Sequence, residues 1–187
     1  VPDRKETIMK QPTFNTDLLT LRPFLMDDAE NVKRLAGRKQ IASKTVPIPH
    51  PYELHMAYEW IGTHKQLFED GEVVNFAVTH RQEQYLIGCV GLNINKEYEM
   101  AELGYWIGVE YWGNGYCTEA TKRVLEYGFN DLNLNRIFAY HFGSNPASGR
   151  VMKKTGMKYE GCLRQAIKKW GKFEDRVVSG VLKSDLN

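Results

Sequence analysis

The stretch that decides the fold is Ala101–Leu132, AELGYWIGVEYWGNGYCTEATKRVLEYGFNDL. An apolar strand segment, Ala101–Val109, runs into the glycine-containing loop Trp112-Gly113-Asn114-Gly115, and the loop opens directly into a helix. The helix is read from its period. Cys117, Ala120, Thr121, Val124, Leu125, Gly128, Phe129 and Leu132 recur at helical spacing, while Thr118, Glu119, Lys122, Arg123, Glu126 and Asp131 take the other side. A strand, two glycines and a helix N-terminus together make an anion-binding device. The first N–H groups of a helix have no internal acceptor, their dipoles add, and glycine allows close approach of a phosphate to the backbone. An ordinary left-handed turn would look the same on spacing alone, so the flanking sequence must decide.

Outward from this centre the pattern is mixed. Toward the N-terminus, Leu18–Arg22 alternates as a strand ending at Pro23, and Asp27 or Asp28 can cap a helix carrying Ala29, Val32, Leu35 and Ala36. Pro47, Pro49 and Pro51 make Lys44–Tyr52 a stiff loop. A helix with Leu54, Ala57, Tyr58, Trp60, Ile61 and Phe68 follows and stops near Asp70-Gly71. Asn75–His80 and Leu86–Leu92 are strands, the second with glycines that allow close backbone pairing, and Asn93–Glu99 is a turn. Beyond the central helix come a strand Arg136–Phe142, a helix opened by Asn145-Pro146 and closed at Gly156, and strands Met157–Leu163 and Val177–Leu182. The polar, aromatic segment Lys168–Phe173 lies between these last two strands as a solvated tip. This order predicts an α/β fold (α+β, one mixed sheet), antiparallel at first and joined by at least one crossover helix.

Composition narrows the function classes. The 187 residues fit one domain, 1–187, with residues 1–16 as a loose lead-in. Basic and acidic residues number 25 and 23, with no long run of either sign, so extensive nucleic-acid binding is not expected. Cys89, Cys117 and Cys162 are scattered and odd in number, which gives neither a metal-ligand spacing nor a disulfide framework. Reduced thiols and a cytoplasmic setting follow as the expectation. No apolar run reaches membrane-spanning length and no signal peptide is visible.

Tyr111-Trp112-Gly113-Asn114-Gly115-Tyr116-Cys117-Thr118-Glu119-Ala120 resembles the acetyl-CoA pyrophosphate loop of the GCN5-related N-acetyltransferase (GNAT) superfamily, in the form of its RimJ/RimL-type ribosomal-protein N-acetyltransferase branch. Leu19-Thr20-Leu21-Arg22-Pro23 with Asp28-Ala29, Ala101–Trp106, Asn145-Pro146-Ala147-Ser148 through Gly156-Met157, and Glu160-Gly161 resemble four further family segments in the same order. There are two departures. Glu110 stands where the superfamily often has Gln or Arg, and Met152 stands where many relatives place a proton-donating tyrosine.

The resemblance implies a mostly antiparallel sheet splayed at a bulge, with helices on both faces, and transfer of acetyl from acetyl-CoA to a primary amine without a metal. It implies cofactor contacts from Trp112, Gly113, Asn114, Gly115, Tyr116, Cys117 and Thr118, and from Asn145 and Ser148. Backbone groups of Tyr105, Trp106, Ile107 and Gly108 would hold the pantetheine arm and polarise the thioester. Glu102 is the candidate base, and Ser148 the candidate proton donor to the thiolate in place of the missing tyrosine. A protein N-terminal α-amine suits a modest base, because its pKa of about 8 leaves part of it free. A small amine (polyamine, amino acid or aminoglycoside) and a non-catalytic acyl-CoA sensor are the alternatives. A nucleotide-binding Rossmann unit lacks its third glycine here. A homodimer is expected by family analogy alone. His141 reads as a packed or surface strand residue. Acceptor identity is assigned to Gln40–Tyr52 and Lys168–Phe173, which carry no legible code.

Overall fold

The computed structural model describes residues 10–186. In chain order the elements are β1 (Phe14–Asn15), β2 (Leu19–Pro23), α1 (Ala29–Ala36), α2 (Lys39–Ala42), α3 (Leu54–Glu69), β3 (Val73–His80), β4 (Leu86–Asn95), β5 (Met100–Ile107), α4 (Tyr116–Asn130), β6 (Arg136–Phe142), α5 (Pro146–Lys154), β7 (Lys158–Lys169) and β8 (Lys172–Leu182). The strands form one eight-stranded sheet in the order β1-β2-β3-β4-β5-β6-β8-β7. Every neighbouring pair is antiparallel except β5–β6, the crossover that α4 makes.

Each face of the sheet has its own core because strand side chains alternate. Ala101, Leu103 and Ile107 of β5 point toward α4 and α5, where they join Val124, Phe129, Ile137 and Met152. Trp106 points the other way and packs with α1 and α3, whose Ala29, Val32, Leu35, Ala57 and Ile61 fill the second cluster. Helix periodicity selects those residues, and Gly128 shows how tightly they dock. A Cβ there would lie 2.6 Å from the Ile137 side chain. Arg22 grips Asp28 through two 2.8 Å bonds, and Asp28 also accepts the Leu25 N–H, which fixes the turn into α1.

The sheet has one weak seam. β5 and β6 pair only over Met100–Glu102 against Arg136–Phe138, and beyond Leu103 the two strands part. The β4–β5 ladder runs unbroken on the other side. The nearest register shift lies one strand away, between β3 and β4 at Val78 and Thr79, and β7–β8 carries two more, at Tyr159–Gly161 and Leu163–Ile167.

Three local expectations change. Phe14–Asn15, inside the expected lead-in, pairs with β2; residues 1–9 lie outside the described residues. α2 runs into the start of Gln40–Tyr52. β7 and β8 run to Lys169 and from Lys172, so most of the polar stretch between the expected strands is itself a long hairpin. Residues on both faces of β7 are exposed or half-buried, so no apolar alternation marks it.

Candidate active site

Backbone direction determines what the parted strands offer. Gly108 donates its N–H to the Ile87 carbonyl at 2.9 Å, in register with the β4–β5 ladder. Hydrogen-bonding direction alternates along an antiparallel strand, so Trp106 and Gly104 also face β4, while Leu103, Tyr105 and Ile107 face the open side. The Ile107 carbonyl is taken by the Trp112 indole N–H at 2.7 Å. Of Tyr105–Gly108, therefore, Trp106 is held by the β4 ladder, and Gly108 by that ladder through its N–H and by the Tyr111 N–H through its carbonyl. The open edge is made by the Leu103 carbonyl, both backbone groups of Tyr105 and the Ile107 N–H, while the Leu103 N–H closes the last bond of the β5–β6 ladder onto Phe138. Leu103 is an addition that its flanking sequence did not single out.

The two faces of the seam carry different chemistry. Glu102 stands on the face shared with Phe138, half-buried, and Arg176 of β8 lies 3.7 Å from its carboxylate. Burial pushes the Glu102 pKa up from its ordinary value of 4.5, and Arg176 only partly opposes that. On the opposite face the Tyr105 hydroxyl meets the Ser148 hydroxyl at 2.8 Å and the Ser148 carbonyl at 3.1 Å. Burial and the neighbouring Cys117 thiol raise the Tyr105 pKa, outweighing the bond to Ser148, so the phenol keeps its proton at neutral pH. Glu102 and Tyr105 are three residues apart on one strand, about 10 Å, and project to opposite sides. One can handle a proton on the acceptor side and the other on the side of α4 and α5.

The loop before α4 is shaped for an anion. Gly113 and Gly115 have φ of 85° and 82°, and a Cβ at either would meet nothing within 4 Å, which leaves open space over the backbone. The first internal bond of α4 runs from Glu119 N–H to Gly115. The N–H groups of Gly115, Tyr116, Cys117 and Thr118 thus have no helical acceptor, and no side chain caps them. Trp112 departs from expectation, because its N–H turns back to the Val109 carbonyl at 3.3 Å. Asn114 braces the loop through bonds to Tyr111 and Trp112 carbonyls. The Cys117 thiol faces inward, and burial raises its pKa to about 12, so Cys117 offers its backbone and not a thiolate. Asn145 opens α5 without a side-chain cap bond, so its amide is not spent on the helix N-terminus. Glu110 pairs with Arg34 at 2.5 Å, away from the donors. His141 is packed: its ring lies 2.7 Å from where a Cβ on Gly149 would be, and Nδ1 meets the Phe142 carbonyl. These residues fit a CoA-type ligand: free donors for a pyrophosphate, and an unpaired strand edge for an amide-bearing arm.

The two segments expected to set acceptor identity, far apart in sequence, meet. Lys169 at the hairpin tip donates to the carbonyls of Val46 and Ile48 at 3.2 and 2.9 Å, and Trp170 stands 6.0 Å from His50. Lys44 ties the same loop to Ser144 after β6. The tip is thus a clamp, with Lys169 turned inward. From the other direction a groove of about 650 Å³, with Asp70, Glu72, Asn93 and Lys96 in its walls, leads to Glu102. No group of three or more His, Cys, Asp or Glu suited to a metal occurs among the described residues.

Comparison with known proteins agrees with this geometry. The acetyltransferase (GNAT) domain family matches residues 19–158. The uncharacterized N-acetyltransferase YoaA of Bacillus subtilis is 31% identical over 173 residues, 92% of this chain and 97% of that protein. The ribosomal-protein-serine acetyltransferase of Escherichia coli is 31% identical over a shorter stretch, 46% of this chain and 48% of its own. Spermidine N-acetyltransferase of Vibrio cholerae, solved with CoA and spermine, superposes with a TM-score of 0.79 at 27% identity, covering 92% of this chain and all of that one. With the family matched over most of its length and the cradle, seam and free strand edge in place, this chain belongs to the GNAT family and is an acetyl-CoA-dependent N-acetyltransferase.

Proposed function

We propose that the acceptor is a protein N-terminal α-amine, and that Glu102 and Ser148 serve the two ends of a direct transfer. Bound acetyl-CoA supplies a thioester carbonyl and leaves as a thiol. Glu102, on the acceptor face, takes the proton of the attacking amine, directly or through a water. The free N–H groups of Tyr105 and Ile107 are the donors available to the carbonyl oxygen. Ser148, held by Tyr105, returns a proton on the opposite face and so replaces the tyrosine that Met152 displaces; Met152 is buried and cannot donate. The observation that carries this reading is the division of the seam, a carboxylate on one side and a hydroxyl pair on the other, across one open strand edge. A small polyamine is the second reading, favoured by Asp70 and Glu72 in the groove that reaches Glu102.

The test is CoA-thiol release from acetyl-CoA against N-terminal peptides, polyamines and aminoglycosides. Turnover with peptides and little with polyamines is expected. Turnover of polyamines alone replaces the first reading by the second. Acetyl-CoA binding without release to any acceptor removes Glu102 and Ser148 from catalysis and leaves a sensor.

A further inference from the structure

Arg176 is a guanidinium that the protein leaves unfinished. It sits over Tyr140, its Cζ 3.8 Å from the ring centre, on the same open face as Glu102 and Phe138. Its Nε is buried without a hydrogen-bond partner. Its approach to Glu102, 3.7 Å, is too long for a hydrogen bond, and both side chains keep about a third of their surface exposed. An arginine present only to hold Glu102 would close onto it with the two parallel bonds that a guanidinium and a carboxylate form readily. Held over Tyr140 instead, and making no side-chain hydrogen bond among the described residues, the guanidinium keeps a third of its side chain exposed beside Glu102, where a carboxylate supplies the acceptor that the protein does not.

The structure assigns Arg176 as an acceptor-specificity residue that binds a carboxylate carried close to the reacting amine. This inference rests on the acetyl-transfer reading above, with Glu102 at the amine. The charges make the case. Glu102 and Arg176 set a negative and a positive group side by side, and a compound that carries a carboxylate within a few bonds of its ammonium presents the complementary pair. Two sources share that chemistry, a free α-amino acid and a peptide whose first residue is acidic. A polyamine brings only positive charge and meets Arg176 with repulsion.

The experiment is steady-state CoA release with matched acceptors: peptides differing only by Asp or Asn, and Glu or Gln, at the first position, free amino acids with their amides, and spermidine. Rates are referred to the unprotonated amine, since amidation shifts amine pKa, and are taken well above the acid limb of the wild-type profile. Wild type is expected to favour each carboxylate member by about tenfold to a hundredfold in kcat/KM, mainly through KM, the range for a charged hydrogen bond. Arg176→Gln should make the members of each pair react alike, and Arg176→Lys should restore part of the preference. The peptide and amino-acid arms show which source supplies the carboxylate. Equal wild-type rates within pairs, a preference that survives Arg176→Gln, or spermidine as the best acceptor overturns the inference while leaving acetyl transfer intact. If Arg176→Gln slows both members equally and only shifts the pH profile, Arg176 merely tunes Glu102 and the inference also falls. Acetyl-CoA binding with no release to any acceptor overturns both readings.

Discussion

Replacing Tyr105 by Phe and Ser148 by Ala, singly and together, tests whether the two hydroxyls act as one device. The bond between them is 2.8 Å and partly buried, and the phenol stays protonated because burial raises its pKa. When Tyr105 donates to the serine oxygen, the serine proton is free to move to the leaving thiolate. A thiolate of pKa about 8.5 needs little help, so the effect falls below the usual range for general acids, at about tenfold in kcat near pH 7 and fading above pH 9. Because the serine works only as Tyr105 holds it, Tyr105→Phe should also cost about tenfold, and so should the double variant. The coupling energy of the cycle is then about 1.4 kcal/mol, the energy equivalent of one factor of ten. Single-turnover release of CoA thiol at pH 7 and pH 9.5, with saturating acetyl-CoA, reads this directly. Loss of the bond also costs about 1 kcal/mol of stability, a fall in Tm of about 2–4 °C, which shows that the variants fold. A hundredfold loss in the double variant, or singles indistinguishable from wild type at pH 7, refutes the relay.

Glu102→Gln should abolish the acid limb of the kcat profile. Burial raises the Glu102 pKa above 4.5, so wild-type activity, which needs the carboxylate, falls as pH drops through that raised value; a limb that persists in the glutamine variant would acquit Glu102. Arg176→Gln removes the opposing charge and should move the wild-type limb to higher pH. His64 is only 7% exposed, and burial lowers its pKa from 6.5 to about 4, so the fold favours the neutral ring. Its contribution is complete above pH 6.5 and lost as pH falls toward 4, about 3 kcal/mol in all; urea unfolding of wild type and His64→Leu at pH 7.5 and 4 should show that loss in wild type only. Gly115→Ala puts a side chain on a residue with φ of 82° and into the space above the loop. CoA affinity should weaken by about tenfold or more while the strain, about 1–2 kcal/mol, lowers Tm by a few degrees; calorimetry giving an unchanged Kd would mean no phosphate sits there.

The parts legible in the sequence are those whose physics is local. The α4 stripe, the glycine pair and the Asn-Pro opening of α5 each announce themselves within a few residues. So does the antiparallel run β3–β5, and with the family resemblance the cofactor side could be assigned. What escaped depends on contacts between distant residues. Tyr105 and Ser148 are 43 positions apart, and nothing in either neighbourhood shows that the hydroxyls meet. Strand alternation could have placed Tyr105 on the α4 face, but only the parting of β5 from β6 frees its backbone. Arg176 was invisible because β8 looked too short to contain it, its exposed partner strand hiding the period. The clamp of Lys169 on Val46 and Ile48 is a surface lysine in sequence and becomes a tether only when hairpin and loop are brought together.

The short β5–β6 pairing has a mechanical consequence. Three residue pairs are all the sheet offers to join β1–β5 to β6–β8, with α4 and α5 packed across the join. A ligand lying between the strands supplies the bonds that the ladder omits there, and so acts as a removable rung. Folding stability and cofactor concentration are then linked by mass action: at a hundred times its Kd a ligand of the folded state adds about 2.7 kcal/mol. Amide exchange along Leu103–Ile107 and Ala139–Phe142 should slow when CoA binds, more than in β2 or β3, where the ladder is already complete. The opening between β5 and β6 is thus also a line of weakness within the sheet of the unliganded protein.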